Sequence, residues 1–283
     1  MKPVFPSLLV VVLVTCLSAC STIEKIQSMA TGESAAAERQ VKEIMPGFLE
    51  GYLPRADQLD SKVFVLPSPA KNSARQALDN AWAESMQSLR GTPRWALAVR
   101  DANLTFPAPA DVFSCAMGIP VNEEDTPALY MLLWRTMTDI GLAPYSAKNA
   151  YQRARPFMVR EESVCTPQDE EILRKDGSYP SGHTSIGWGW ALILTELLPD
   201  RAEAILARGR SFGESRNVCN AHWYSDVVAG RLTGAAAVAK LHANDEFLAA
   251  MDAARSDVER ARAADLTPNI DCEAEAKALS TQF

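Results

Sequence analysis

Past its first twenty residues the chain has no run of about 20 apolar residues, the length a helix needs to cross a bilayer, which argues against an integral membrane enzyme. Strand-like alternation of apolar and polar residues is nearly absent as well. No internal repeat is visible, and the one low-complexity stretch is an Ala/charged tail after Asp252. Positive charge is in deficit. The 28 Lys and Arg against 35 Asp and Glu give a formal charge of −7, so a nucleic acid polymer is a poor partner. Histidine is scarce too, with only His183, His222 and His242 among 283 residues.

What is present begins with an export signal. Met1-Lys2 carries the only charge of the first nineteen residues, and the apolar core from Leu8 to Val14 is too short to span a bilayer. Leu17-Ser18-Ala19-Cys20 resembles a bacterial lipobox, with cleavage before Cys20 and a lipid on its thiol; an ordinary secretory signal cleaved nearby or a retained anchor is the plainer alternative. Ser21 fits sorting to the outer membrane, so the expected location is the periplasm, with the N-terminal lipid as the only membrane contact. Loss of residues 1–19 removes one lysine and no acid, taking the charge from −7 to −8. Cys115, Cys165, Cys219 and Cys272 then remain, and in an oxidising compartment they fit two disulfides in any of three pairings, free buried thiols being the alternative. A bridge at Cys219 would brace the stretch between Arg216 and His222.

The layout read from composition is a signal at 1–19, a tether at 20–45, one folded domain at 46–252 and a polar C-terminal tail at 253–283. Helical spacing predicts helices over 73–89, 94–103, 111–118, 126–141, 146–153, 184–198, 200–213 and 223–242, with an acidic loop at 157–176. Residues 52–69, broken by prolines, leave strand and loop open. The fold expected is all-α, a single helical-bundle domain.

Three clusters inside that domain share one chemistry. Lys148 precedes Arg155-Pro156 by seven residues, which would put both cations on one face if that segment is helical throughout; Gly177-Ser178-Tyr179-Pro180-Ser181-Gly182-His183-Thr184 opens an apolar run; Ser215-Arg216 is followed by His222 and Asp226. At about one in twenty per position, a chance match at these fixed positions is roughly 10⁻¹⁴ per placement. Lys148, Arg155 and Arg216 supply three cations, and guanidinium forks match phosphate oxygens in pairs. Ser181 and Gly182 would put an anion at a helix N-terminus. His222 and Asp226, four apart, would share a helix face, the carboxylate holding one ring nitrogen while the other meets phosphorus. His183 would then protonate the leaving alcohol and activate water. With three cations stabilising charge, no metal or other cofactor is needed; zinc on His183, His222 and Asp226 would leave those cations unexplained. His242 lies outside every cluster and reads as a plain helix residue.

The pattern K-x6-RP, PSGH and SR-x5-H-x3-D resembles the acid phosphatase/vanadium haloperoxidase superfamily, also called type 2 phosphatidic acid phosphatases. The longer strings Gly177 to Thr184 and Ser215 to Asp226 look like its class A bacterial non-specific acid phosphatases, over about residues 52–250. The resemblance implies an all-helical, metal-independent, vanadate-sensitive phosphomonoesterase. Catalytic roles would fall to His222, His183 and Asp226, and phosphate binding to Lys148, Arg155, Ser181, Gly182 and Arg216, with Pro180 shaping the loop. The partners expected are small phosphomonoesters, with some transfer to alcohols, and a homodimer stays open. A vanadium-dependent haloperoxidase and a non-catalytic phosphate-binding lipoprotein are the competing readings.

Overall fold

The structure is a computed structural model that describes residues 41–281; Cys20, the signal and nearly all of the tether fall outside the described residues. From Glu43 onward the chain opens with an antiparallel pair, β1 (Glu43–Met45) and β2 (Phe48–Leu49), so the folded part starts inside the stretch read as tether. Helices follow: α1 (Ala74–Ser85), α2 (Pro93–Asp101), α3 (Ser114–Met117), α4 (Pro127–Leu142), α5 (Tyr145–Tyr151), α6 (Pro156–Arg160), α7 (Glu170–Lys175), α8 (Gly182–Leu197), α9 (Ala202–Val218), α10 (Tyr224–Leu241), α11 (Asp245–Ala263) and α12 (Cys272–Leu279). The all-α expectation holds, and residues 52–69 form short 3-10 turns rather than a strand.

Helix α8 lies at the centre, packed by α4, α9 and α10. From Ile186 to Leu194 it carries no polar side chain, as a largely buried helix should. Ile186, Trp190, Ala191, Ile193 and Leu194 are all inside, and the Trp190 indole N–H donates to Leu133 O at 3.1 Å. Close approach to α10 depends on two glycines. A Cβ at Gly230 would fall 2.6 Å from Ser181 O, and one at Gly234 would fall 2.4 Å from Ser185 O, both far inside van der Waals contact.

Four expectations are corrected. The span 157–176 is not a loop: it holds α6 and α7, whose few residues alternate too briefly to show a period. The helix expected at 200–213 continues to Val218 and carries Arg216. Lys148 and Arg155 do not share a helix face, because α5 stops at Tyr151 with Gln152 at φ +42°, and Arg155 is the extended residue that starts α6. The boundary at 252 falls within α11, whose Phe247, Met251, Ala254, Val258 and Ala261 are buried at alternating spacings of four and three. Small alanines hid that stripe among charges. Asp257 on the same helix accepts the N–H groups of Ala128 and Leu129, at 2.6 and 3.1 Å, and so caps α4 from a distance of 129 residues.

The disulfides are Cys115–Cys272 and Cys165–Cys219. The first ties α12 back to α3. Glu275 of α12 pairs with the buried Arg208 at 3.3 Å and with Arg100. The second closes a 54-residue separation and joins the end of α9 to the link ahead of α7, beside the site; the chain-entropy estimate for such a loop is about 4 kcal/mol.

Candidate active site

Every functional residue expected from the three clusters gathers at the N-terminal ends of α8 and α10 and the C-terminal end of α9. Ser181 is the N-cap of α8: its Oγ accepts Thr184 N–H at 3.2 Å, and its own N–H donates to Asp226 O at 3.0 Å. The helix offers no acceptor for the N–H groups of Gly182 and His183, which belong to its first turn. Those donors and the positive end of the helix therefore face the same region as the cations.

Lys148 and Arg155 come to that region from different elements but meet on one carboxylate. Asp176 Oδ2 accepts from Lys148 Nζ at 2.8 Å and from Arg155 Nη2 at 3.0 Å, and Gly177 O accepts from Lys148 Nζ at 2.8 Å. Arg155 Nη1 donates to His222 Nε2 at 3.0 Å and to Ala221 O at 3.0 Å. Arg216 is as deeply buried, yet its Nε and Nη1 have no hydrogen-bond partner among the described residues. A buried guanidinium with open donors is costly unless an anion completes it.

His222 does not ride on a helix with Asp226. It sits in the turn before α10, and Asp226 reaches back from the first turn, where its Oδ2 also accepts Trp223 N–H at 2.8 Å. The ring Nδ1 is 3.3 Å from Asp226 Oδ2 and 3.4 Å from Ser178 Oγ, and Ser178 hydroxyl itself donates to Asp226. Arginine has no acceptor atom, so Nε2 carries the lone pair and Nδ1 the proton. His183 is held differently. Its Nε2–H donates to Ala102 O at 3.0 Å, just past α2, which leaves Nδ1 as the nitrogen that can take or give a proton.

Residues 128–245, the stretch that contains all three clusters, match the PAP2 superfamily. An acid phosphatase of Zymomonas mobilis subsp. mobilis is 42% identical over 214 residues, which is 74% of this chain and 80% of the relative. Non-specific acid phosphatases of Providencia stuartii and Salmonella typhimurium are 43% and 40% identical, over 69% and 68% of this chain and 79% and 77% of theirs. The chain belongs to the PAP2 superfamily.

Burial sets the electrostatics of this PAP2 site. It pushes Lys148 down to about 8, with Arg155 adding to the effect against the pull of Asp176. It takes Arg216 to about 10, again with Arg155 as the repelling neighbour. Both imidazoles are held well below their ordinary range, first by burial and then by cations: Arg155, Lys148 and Arg216 act on His222, and Arg216 on His183. Both rings are thus neutral near pH 7, as a nucleophilic His222 requires. A dianionic ester between the cations would reverse the sign on His183 and favour its protonation.

The clusters did not point to Asp176, Ser178 or the Ala102 carbonyl. Asp176 and Ser178 flank Gly177 at the head of the longest motif, which is the signal that could have found them. Ala102 contributes only backbone and leaves no trace in sequence. His242, set aside from the start, ends α10 with Nε2 2.8 Å from Glu196 Oε2, in no contact with the site's residues.

Proposed function

We propose that this protein is an acid phosphatase that hydrolyses small phosphomonoesters through a phosphohistidine on His222. The observation that carries the reading is the convergence of Lys148, Arg155 and Arg216 with the free first-turn N–H groups of α8 around the unprotonated Nε2 of His222. Gly182 adds support, since a Cβ there would meet only Gly141 O at 3.8 Å. Protein packing does not demand glycine at that position; close approach of a ligand to the backbone does.

In the first step the ester's phosphoryl oxygens take the guanidinium of Arg155 away from His222 Nε2 and fill the open donors of Arg216. The lone pair of Nε2 attacks phosphorus, the P–O bond to the alcohol breaks, and a proton from His183 Nδ1 goes to the departing oxygen. The Nδ1–H of His222 stays on Asp226, which stabilises the positive ring. In the second step His183, now neutral, takes a proton from water as its oxygen attacks phosphorus, the N–P bond breaks, and inorganic phosphate leaves. The equatorial charge of both transition states rests on the three cations and the α8 N-terminus. Asp176 keeps the heads of Lys148 and Arg155 together when no anion is bound.

The remaining proposals concern location: export, cleavage before Cys20 and lipid anchoring in the outer membrane, supported by the lipobox-like sequence. Cys20→Ser should then release the protein from membranes with unchanged specific activity. For the activity itself, soluble protein starting at Ser21 is assayed on a panel of alkyl, aryl and nucleoside monophosphates with chelator, with orthovanadate, and with bromide, peroxide and vanadate. Turnover of phosphomonoesters that survives chelation and is inhibited competitively by vanadate is expected. Bromide oxidation without phosphatase activity would overturn the reading.

A further inference from the structure

Behind His222 lies a buried ion cluster that ties Asp226 to two residues outside all three motifs, Arg153 and Asp79. Arg153, two residues before Arg155, sits on the link between α5 and α6 and is enclosed by carboxylates from two helices. Its Nη1 donates to Asp226 Oδ1 at 2.6 Å and to Ser225 Oγ at 2.7 Å; its Nη2 donates to Asp79 Oδ2 at 2.6 Å and to Gln76 Oε1 at 2.6 Å. Asp79, on α1, is wholly inaccessible and accepts from both the backbone N–H and the hydroxyl of Ser225, at 2.8 and 2.6 Å. The guanidinium also lies 5.3 Å from the centre of the Trp223 ring, and Trp223 Nε1 donates to Ala154 O at 2.8 Å.

The two oxygens of Asp226 therefore have separate duties. Oδ1 belongs to Arg153, and Oδ2 serves Trp223 N–H, Ser178 and His222 Nδ1. A carboxylate can turn about its terminal torsion, and the occupied Oδ1 adds a charged anchor on the far side to the neutral donors on Oδ2, which keeps Oδ2 aimed at the imidazole. Arg153 is in turn fixed because its other arm is saturated by Asp79 and Gln76. The planar fork matters here, since one ammonium could not satisfy two carboxylates on opposite sides with the same geometry.

We infer that Arg153, anchored by Asp79, is a positioning residue for the nucleophile: it locks the Asp226 carboxylate so that His222 keeps its proton on Nδ1 and presents Nε2 to phosphorus. This rests on the phosphohistidine reading above. Arg153 is donor to no group that would touch the phosphate, so its effect should fall on kcat rather than on anion binding.

The test is a double-mutant cycle on p-nitrophenyl phosphate hydrolysis with Arg153→Lys, Asp226→Asn and the pair, each first checked for native far-UV circular dichroism. Arg153→Lys should lower kcat by about 10- to 100-fold, with KM and the orthovanadate inhibition constant within about twofold of the parent. In the Asp226→Asn background the same change should cost less than about twofold, because the carboxylate it would have held is gone. Asp79→Asn, which keeps the shape and one acceptor, should give a smaller kcat loss that also vanishes in the Asp226→Asn background, and it serves if Arg153→Lys does not fold. Unchanged kcat in both variants, losses that multiply with that of Asp226→Asn, or losses that appear as weaker vanadate binding would each overturn the inference. An inactive parent enzyme would instead sink the phosphatase reading and is told apart by the parent assay alone.

Discussion

Replacing Arg216 by methionine keeps much of the side chain's length and removes its charge, which separates the cost of that charge from its use. The guanidinium is buried, Nε and Nη1 have no partner among the described residues, and burial together with Arg155 brings it from 12.5 down to about 10. At about 1.36 kcal/mol per pH unit, keeping Arg216 charged costs about 3 kcal/mol when no anion is present. Arg216→Met does not carry that cost. Without phosphate it should unfold at the parent's temperature or above, by up to roughly 6–12 °C at about 2–4 °C per kcal/mol, with lost packing reducing the gain. Catalysis should suffer, because a donor aimed at the transition-state charge is typically worth about 10² to 10³ in rate. The assay is thermal denaturation with and without orthovanadate, beside steady-state kinetics. The parent should gain stability on adding vanadate, and the variant should gain little. A variant that melts well below the parent without anion, yet shows the parent's full vanadate shift, would refute the assignment of Arg216 to the phosphate.

His183→Ala should cripple phosphorylation of the enzyme by alkyl phosphates while sparing p-nitrophenyl phosphate, whose leaving group needs little protonation. Rapid quench of the phosphoenzyme should show a contrast approaching about 10² to 10⁴, and equal losses for both esters would remove His183 from the acid role. Stability should depend on pH through the same two rings. His183 and His222 are neutral in the anion-free fold but ionise near 6.5 once unfolded, so the unfolded chain binds more protons below that pH. Denaturant unfolding should therefore show stability falling as pH drops through about 6.5, by at most about 2.7 kcal/mol per unit for the two rings together. Bound vanadate, or His183→Gln with His222→Gln, should flatten that slope, and an equally steep slope in the double variant would count against it.

The gathering of the three clusters was legible because they are marked by residue types at fixed local offsets, such as Ser215-Arg216 with His222 and Asp226. The helices α4, α8 and α10 were legible for a related reason: each is long enough to show a period or an unbroken apolar run. What sequence misjudged was direction. A spacing of seven between Lys148 and Arg155 fits a helix, but Gln152 turns the chain, and the two cations converge from different elements onto Asp176. His222 and Asp226 likewise meet through a helix-start geometry rather than along a helix face. The role of the C-terminal residues was hidden because Ala254 and Ala261 bury little surface each, and because Asp257 and Glu275 find partners only in three dimensions. Arg153 and Asp79 are 74 residues apart, a pairing that no local pattern announces.

The contact of Gly230 with Ser181 O and of Gly234 with Ser185 O has a bearing on how such an enzyme can change. Together with the Ser181 N–H on Asp226 O, it gears the N-terminal end of α8 to the helix that carries Asp226, so a shift of one presses directly on the other. Half of the site is then a single machined part with almost no adjustable tolerance. Accommodation of different alcohol groups should then fall to neighbours outside that pair, such as the link after α2, on which His183 of α8 leans, and Tyr145, half exposed beside Lys148. Substitutions that retune substrate preference should accumulate there, while α8 and α10 tolerate change only as a matched pair.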